Sequence, residues 1–87
     1  MEISISHKNV QLKNVNLGKS FANITTDLII DRYGRVKVNA GPSFFYTDLL
    51  HISHDILNEV SERLKKEANN RILVKIKKRI DDVIVAK

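Results

Sequence analysis

The run Ile24-Thr25-Thr26-Asp27-Leu28-Ile29-Ile30-Asp31-Arg32-Tyr33-Gly34-Arg35-Val36-Lys37-Val38-Asn39-Ala40 reads as two strands and the turn between them. Side chains in a strand switch faces at every residue, so Ile24, Leu28 and Ile30 share one face of the first strand, and Val36, Val38 and Ala40 share one face of the second. Asp31-Arg32-Tyr33-Gly34 supplies the turn, because Gly34 adopts a positive φ at no steric cost. Gly41-Pro42 follows and is expected to end the sheet, since proline cannot donate to a ladder and restricts the residue before it.

Upstream of this hairpin, Ile3 and Ile5 alternate with Ser4 and Ser6, the pattern of a half-buried strand. Lys8-Asn9-Val10-Gln11-Leu12 is then echoed by Lys13-Asn14-Val15-Asn16-Leu17. The odd period of five moves the apolar pair from even to odd positions, which one uninterrupted strand cannot keep on one face. A bulge or turn near Lys13-Asn14 repairs the register. The echo stops at Gly18, short of the three or so units a solenoid needs to bury a core.

Downstream, Phe45, Leu49, Ile52, Ile56, Leu57, Val60 and Leu64 recur at steps of three and four and predict one long helix over 43–69. Ser43 or Thr47 would cap it, Asp48 would suit its first turn, and Asn69-Asn70 would stop it. Residues 71–87 admit two readings. As a helix, Ile72, Leu73, Ile76, Ile80, Val83 and Ile84 form one stripe, but Val74 and Val85 fall outside it, and Arg71 and Asp81-Asp82 oppose the helix dipole. As a strand, Ile72, Val74 and Ile76 face one way and Lys75 and Lys77 the other, and the balance of these features favours a strand over 71–78. The expected fold is therefore α+β within one domain, 1–87. It has a β-rich part at 1–41 with about four antiparallel strands, one long helix packed on them, and a C-terminal strand or second helix.

Composition narrows the chemistry. The chain has no cysteine, which excludes disulfides, thiolate metal sites and thiol nucleophiles. The N-terminal residues lack the basic and apolar regions of a secretory signal, and no window reaches the ~18 apolar residues of a membrane span, so a cytoplasmic protein without a membrane segment is expected. Gly18-Lys19-Ser20 matches the end of a phosphate-binding loop, but Lys13 stands where the motif needs a glycine and a strand-like run follows, so a simple turn is expected. His51, His54 and Asp55 are the one cluster with metal-ligand or acid–base character, and they are weak candidates because Asp48, Asn58 and Glu62 on the same side read as an ordinary solvated helix face. No serine has a nucleophile elbow, so neither an enzyme, a cofactor nor a small-molecule substrate is expected.

The net charge of +5 is unevenly spread. Residues 61–79 carry Arg63, Lys65, Lys66, Arg71, Lys75, Lys77, Lys78 and Arg79 against Glu62 and Glu67, a local excess of +6, whereas the rest of the chain sums to −1. Such a stretch suits a nucleic-acid backbone or an acidic partner through counterion release, although base stacking is not provided for within it. Ile, Lys and Asn together make a third of the chain, so part of the lysine content is compositional bias. Val83, Ile84 and Val85 bring apolar residues to the end of the sequence, where a contact with another subunit would use them. The expectation is a non-catalytic interaction or structural module, a subunit of a homo-oligomer or of a larger assembly such as a viral particle. The alternative is a nucleic-acid-binding protein acting through the basic stretch.

Overall fold

The structure is a computed structural model that describes residues 1–86, with the side chains of all of these except Ser20 and Ala40; Lys87, the last residue of the 71–87 segment, lies outside the described residues. The fold is α+β. Five antiparallel strands run in sequence order across one sheet: β1 (Glu2–Ile5), β2 (Val10–Asn16), β3 (Thr25–Ile30), β4 (Arg35–Ala40) and β5 (Ser43–Asp48). Two helices follow, α1 (His54–Leu64) and α2 (Arg71–Val85), and pack on one face.

Local chemistry sets each connection. Between β3 and β4 the Asp31 carboxylate accepts from the amides of Tyr33 (2.9 Å) and Arg35 (3.1 Å), and Gly34 has φ +78°. This is a three-residue hairpin loop closed by a glycine in the left-handed region. In β2 the register shifts between Leu12 and Val15, and Asn14 has φ +56° with its amide on Asp27 Oδ1 at 3.1 Å. The bulge carries Val10, Leu12 and Val15 onto the same buried face despite their mixed spacing. Ile24 precedes β3 and is exposed, so it does not share the face of Leu28 and Ile30.

Two segments depart from expectation. Residues 43–48 are a strand, not the start of a helix over 43–69. Gly41, at φ +83° in the first central position, is suited to a two-residue type II′ turn that continues the sheet into β5 instead of ending it. Phe44, Tyr46 and Thr47 also prefer a pleated surface. The helix starts only at His54, where the Ser53 hydroxyl accepts from the amide of Ile56; Asp48 instead caps the short 3-10 turn Leu49–His51. Residues 71–85 form a helix, so the reading of 71–78 as a strand is corrected. Asn70 caps it, its Oδ1 accepting from the amides of Ile72 (2.9 Å) and Leu73 (3.1 Å). The stripe Leu73, Ile76 and Ile80 is buried, and Val74 and Val85 lie off it in solvent.

In α2 the late acidic residue Asp81 is compensated by one contact within the helix and one from α1. Asp81 accepts from the Lys77 ammonium one turn back and from the Ser61 hydroxyl of α1 at 2.6 Å. Both ends of the α2 segment meet the same rim of the sheet: Asn70 Nδ2 donates to the carbonyl of His7 in the β1–β2 turn, and the Arg79 stem lies against Gly34 in the β3–β4 turn. The core between the layers is made of Val, Leu and Ile from β2, β3, β4, α1 and α2. No helix among the described residues is long and apolar enough to cross a membrane.

Candidate interaction surface

The eight basic residues of 61–79 do not form one patch. Lys65 pairs with Glu62 at 2.9 Å, and Lys77 is committed to Asp81. Arg63 lines an open cleft of ≈ 860 Å³ beside β1, together with Glu59 and Glu62. The Arg79 stem covers Gly34, and Lys66 is exposed on the turn after α1. Arg71, Lys75 and Lys78 lie one to two turns apart on the exposed side of α2, Arg79 and Asp82 line the same open pocket as Lys75 and Lys78, and among the described residues none of these four cations has a carboxylate within 4.0 Å. Partial burial pushes the Asp81 carboxyl up, but the hydrogen bonds from Lys77 and Ser61 and the charges of Lys77 and Lys65 outweigh it and hold Asp81 below the ordinary aspartate range.

The histidines are likewise separate. His51 Nδ1 lies 2.7 Å from the Thr47 hydroxyl and 3.6 Å from Asp48, with its ring edge-on to Phe21. His54 opens α1 with Nε2 buried and unpartnered, and Asp55 is exposed in the first turn. Among the described residues no three His, Asp or Glu side chains converge to hold a metal. Gly18-Lys19 leads into a three-residue 3-10 turn, not a helix, so no helix N-terminus faces a phosphate there. Val83 and Ile84 are half-buried against the core, whereas Val85 is 82% exposed.

A different concentration of side chains emerges at β5. The chain has five aromatic residues, and none belongs to the fully buried core. Tyr33 (60% exposed), Phe44 (54%) and Tyr46 (53%) lie along the β5 side of the sheet, while Phe45 (37%), opposite Val38, is on the helix-side face of the same strand, where half-buried Phe21 stacks on it at 6.0 Å. Alternation explains their placement. Val36 and Val38 face the helices, so Arg35 and Lys37 face outward, and the register sets Lys37 opposite Tyr46 and Asn39 opposite Phe44 on that same outward side. Arg35 lies over both Tyr33 (5.6 Å) and Tyr46 (5.4 Å), and Lys37 Nζ is 4.2 Å from the Phe44 ring centre. Phe44 and Tyr46 meet edge to face at 5.7 Å. These cation–π and T-shaped contacts hold the rings upright without removing them from water.

The corner is also an open edge. Strand order leaves β1 and β5 each with one unpaired side. Edge strands are normally guarded by charge, proline, bulges or shortness. β1 has only four residues and begins with Glu2, and charged Glu59, Glu62 and Arg63 stand along its cleft. β5 has six residues, an unbroken register and no charge before Asp48. Reading Phe45 as part of a helix stripe hid this arrangement. The signal for it is the Gly41-Pro42 pair followed by aromatic and β-branched residues. By alternation the outward sheet face carries Lys13, Arg35 and Lys37 against Glu2, Asp27 and Asp48, so its charge is balanced.

The fold and this surface define a small α+β domain with one helix-covered sheet face and one open aromatic edge. No family model, no curated protein and no solved structure matches the chain.

Proposed function

We propose that this chain is a non-catalytic interaction module that docks a protein partner at the β5 corner. The observation that carries the reading is that four of the five aromatic residues, Tyr33, Phe44, Phe45 and Tyr46, are exposed in a domain small enough to need them in its core. Aromatic side chains bury ~150–250 Å² each and dominate contact energetics, so leaving them in solvent is a loss to folding that a partner recovers. Tyr, Phe and Arg are also the types enriched at the centres of protein interfaces. Panning a displayed random-peptide library against the immobilised full chain tests the reading. Enriched peptides are expected to lose binding at least tenfold to the Phe44→Ser/Tyr46→Ser variant. Peptides that bind wild type and variant alike, or no enrichment at all, would refute it.

A second reading is favoured by Arg71, Lys75 and Lys78, which share the exposed side of α2 without carboxylate partners among the described residues. They supply a small contact for a nucleic-acid backbone, with an affinity that falls steeply with salt. Titration of single-stranded and duplex oligonucleotides at two salt concentrations, with Lys75→Glu/Lys78→Glu as control, decides it. Equal binding by the variant, or none at low salt, removes this reading.

A further inference from the structure

We infer that β5 pairs with the β5 strand of a second copy of this chain, antiparallel and centred on Phe45, joining two five-stranded sheets into one. The inference rests on the reading of the β5 corner as a contact surface and names its occupant.

The main chain restricts the pairing first. In a two-residue hairpin the residues flanking the turn exchange hydrogen bonds, and bonded and non-bonded pairs then alternate. With Ala40 opposite Ser43, the pairs Val38–Phe45 and Val36–Thr47 bond inward, and the amides and carbonyls of Phe44 and Tyr46 point away from β4. A two-fold antiparallel partner must present the same outward groups, which allows centres on Phe44, Phe45 or Tyr46. Centring on Phe44 places Pro42, which has no amide hydrogen, opposite Tyr46. Centring on Tyr46 sets the Asp48 carboxylate against the Phe44 ring.

Centring on Phe45 moves Pro42 out to the terminal pair, leaves both Phe44–Tyr46 bonded pairs intact, and keeps the Asp48 carboxylate away from the rings. The strand reads Ser43-Phe44-Phe45-Tyr46-Thr47, hydroxyl, three aromatics, hydroxyl, and is a chemical palindrome about its middle residue. Ser43 then faces Thr47 of the second copy, Phe44 faces Tyr46, and Phe45 faces itself. Hydroxyl–hydroxyl and aromatic–aromatic pairs are among those that favour cross-strand contact. The one charge on β5, Asp48, falls opposite Pro42, so no like charges are opposed. The two Lys37 side chains are three strand spacings apart, ~14 Å, beyond the ~8 Å screening length of physiological salt.

The size of the contact sets its strength. At ~200 Å² per aromatic side chain, the exposed fractions of Phe44, Phe45 and Tyr46 leave about 290 Å² per protomer to cover. With the main chain of β5 added, the interface is at the small end for specific association, so a reversible dimer is expected.

Sedimentation velocity of the full chain over a concentration series is the test. The mass is expected to rise from 10.0 kDa towards twice that value. Phe44→Lys/Tyr46→Lys, which opposes lysines in both halves, is expected to weaken self-association at least tenfold. Phe44→Lys/Tyr46→Glu, which sets Lys opposite Glu, also loses the two rings but is expected to associate more tightly than the double-lysine variant. Residues facing each other on the two-fold axis in a non-bonded pair have Cα atoms ~4.5 Å apart, within disulfide range, so Phe45→Cys should form a linked dimer on oxidation. The chain has no other cysteine to compete, and Ser4→Cys on β1 is the control. A monomer at every concentration, a dimer unaffected by Phe44→Lys/Tyr46→Lys, or linkage through Ser4→Cys as fast as through Phe45→Cys overturns the proposal. A monomer that still captures displayed peptides through Phe44 and Tyr46 overturns self-pairing alone. A monomer that captures none removes the corner as a contact surface as well.

Discussion

Substituting Gly34→Ala probes how α2 is held against the sheet. Gly34 has φ +78°, and a Cβ built on it would lie 3.1 Å from Arg79 Cδ and 3.7 Å from Leu49 Cδ1. Two costs follow. The left-handed backbone costs an L-residue ~1–2 kcal/mol. Displacing the Arg79 stem from its preferred rotamer adds about 0.5–1.5 kcal/mol. Gly18→Ala is the control, because nothing lies within 4 Å of its added Cβ, so it carries only a backbone cost, one of its own size since its φ of +83° and ψ of −175° lie outside the left-handed helical region. Urea unfolding of both variants, and of each combined with Arg79→Ala, gives the coupling directly. Gly34→Ala and Arg79→Ala should couple by ~0.5–1.5 kcal/mol, while Gly18→Ala and Arg79→Ala should add within the ~0.3–0.5 kcal/mol scatter of independent sites. A coupling at Gly34 inside that scatter refutes the packing of the Arg79 stem over the turn.

Three further outcomes are expected. Asn70→Ala removes the acceptor of the Ile72 and Leu73 amides and the donor to His7, and should cost ~1–2 kcal/mol in urea unfolding, with faster amide exchange in the first turn of α2. Asp81 is held below its ordinary range in the folded chain, so its contribution is fully present above the unfolded aspartate range and is lost as pH falls through the lowered value. Midpoint temperature against pH should therefore decline more shallowly in acid for Asp81→Asn than for the parent chain, and an unchanged slope would contradict the Lys77–Asp81–Ser61 arrangement. Phe44→Ser and Tyr46→Ser should each cost no more than about 1 kcal/mol, the scale of a cross-strand pair, against ~2–5 kcal/mol for Leu28→Ala in the core. Urea midpoints check that contrast.

The parts of the fold that could be read from residues alone are those where a local rule acts without competition. The Asp31–Gly34 turn needs a left-handed residue, and only Gly34 supplies it cheaply. The odd period of the Val10–Leu17 echo has one repair, and Asn14 makes it with φ +56°. Where two rules competed, periodicity misled. Phe45, Leu49 and Ile52 do fall at helical spacing, but they belong to a strand, a 3-10 turn and the approach to α1, and only long-range pairing with β4 distinguishes these states. In α2 the charges looked wrong for the dipole, but Asp81 is paired with Lys77 one turn back and held by the Ser61 hydroxyl, which lies on another helix twenty residues away. Net charge likewise pointed to residues 61–79 because a sum over sequence cannot register that Lys65 and Lys77 are each paired with a carboxylate within the fold.

The aromatic corner was out of reach for a related reason. Tyr33 and Phe44 are separated by a whole strand and approach the same outward face only through the β3–β4–β5 meander. Once they do, composition acquires a meaning it lacked. The fully buried core is Val, Leu and Ile, with half-buried Phe21 the one ring packed against it, because β-branched and γ-branched side chains fill the narrow space between a sheet and two helices. The β5 rings are retained instead where the sheet is open, on a strand with no guarding charge before Asp48 and a sequence that is symmetric about its own centre. An unguarded edge is a hazard in a monomer and a requirement in a strand-paired dimer. The same residues therefore account for both the modest core and the surface that completes it.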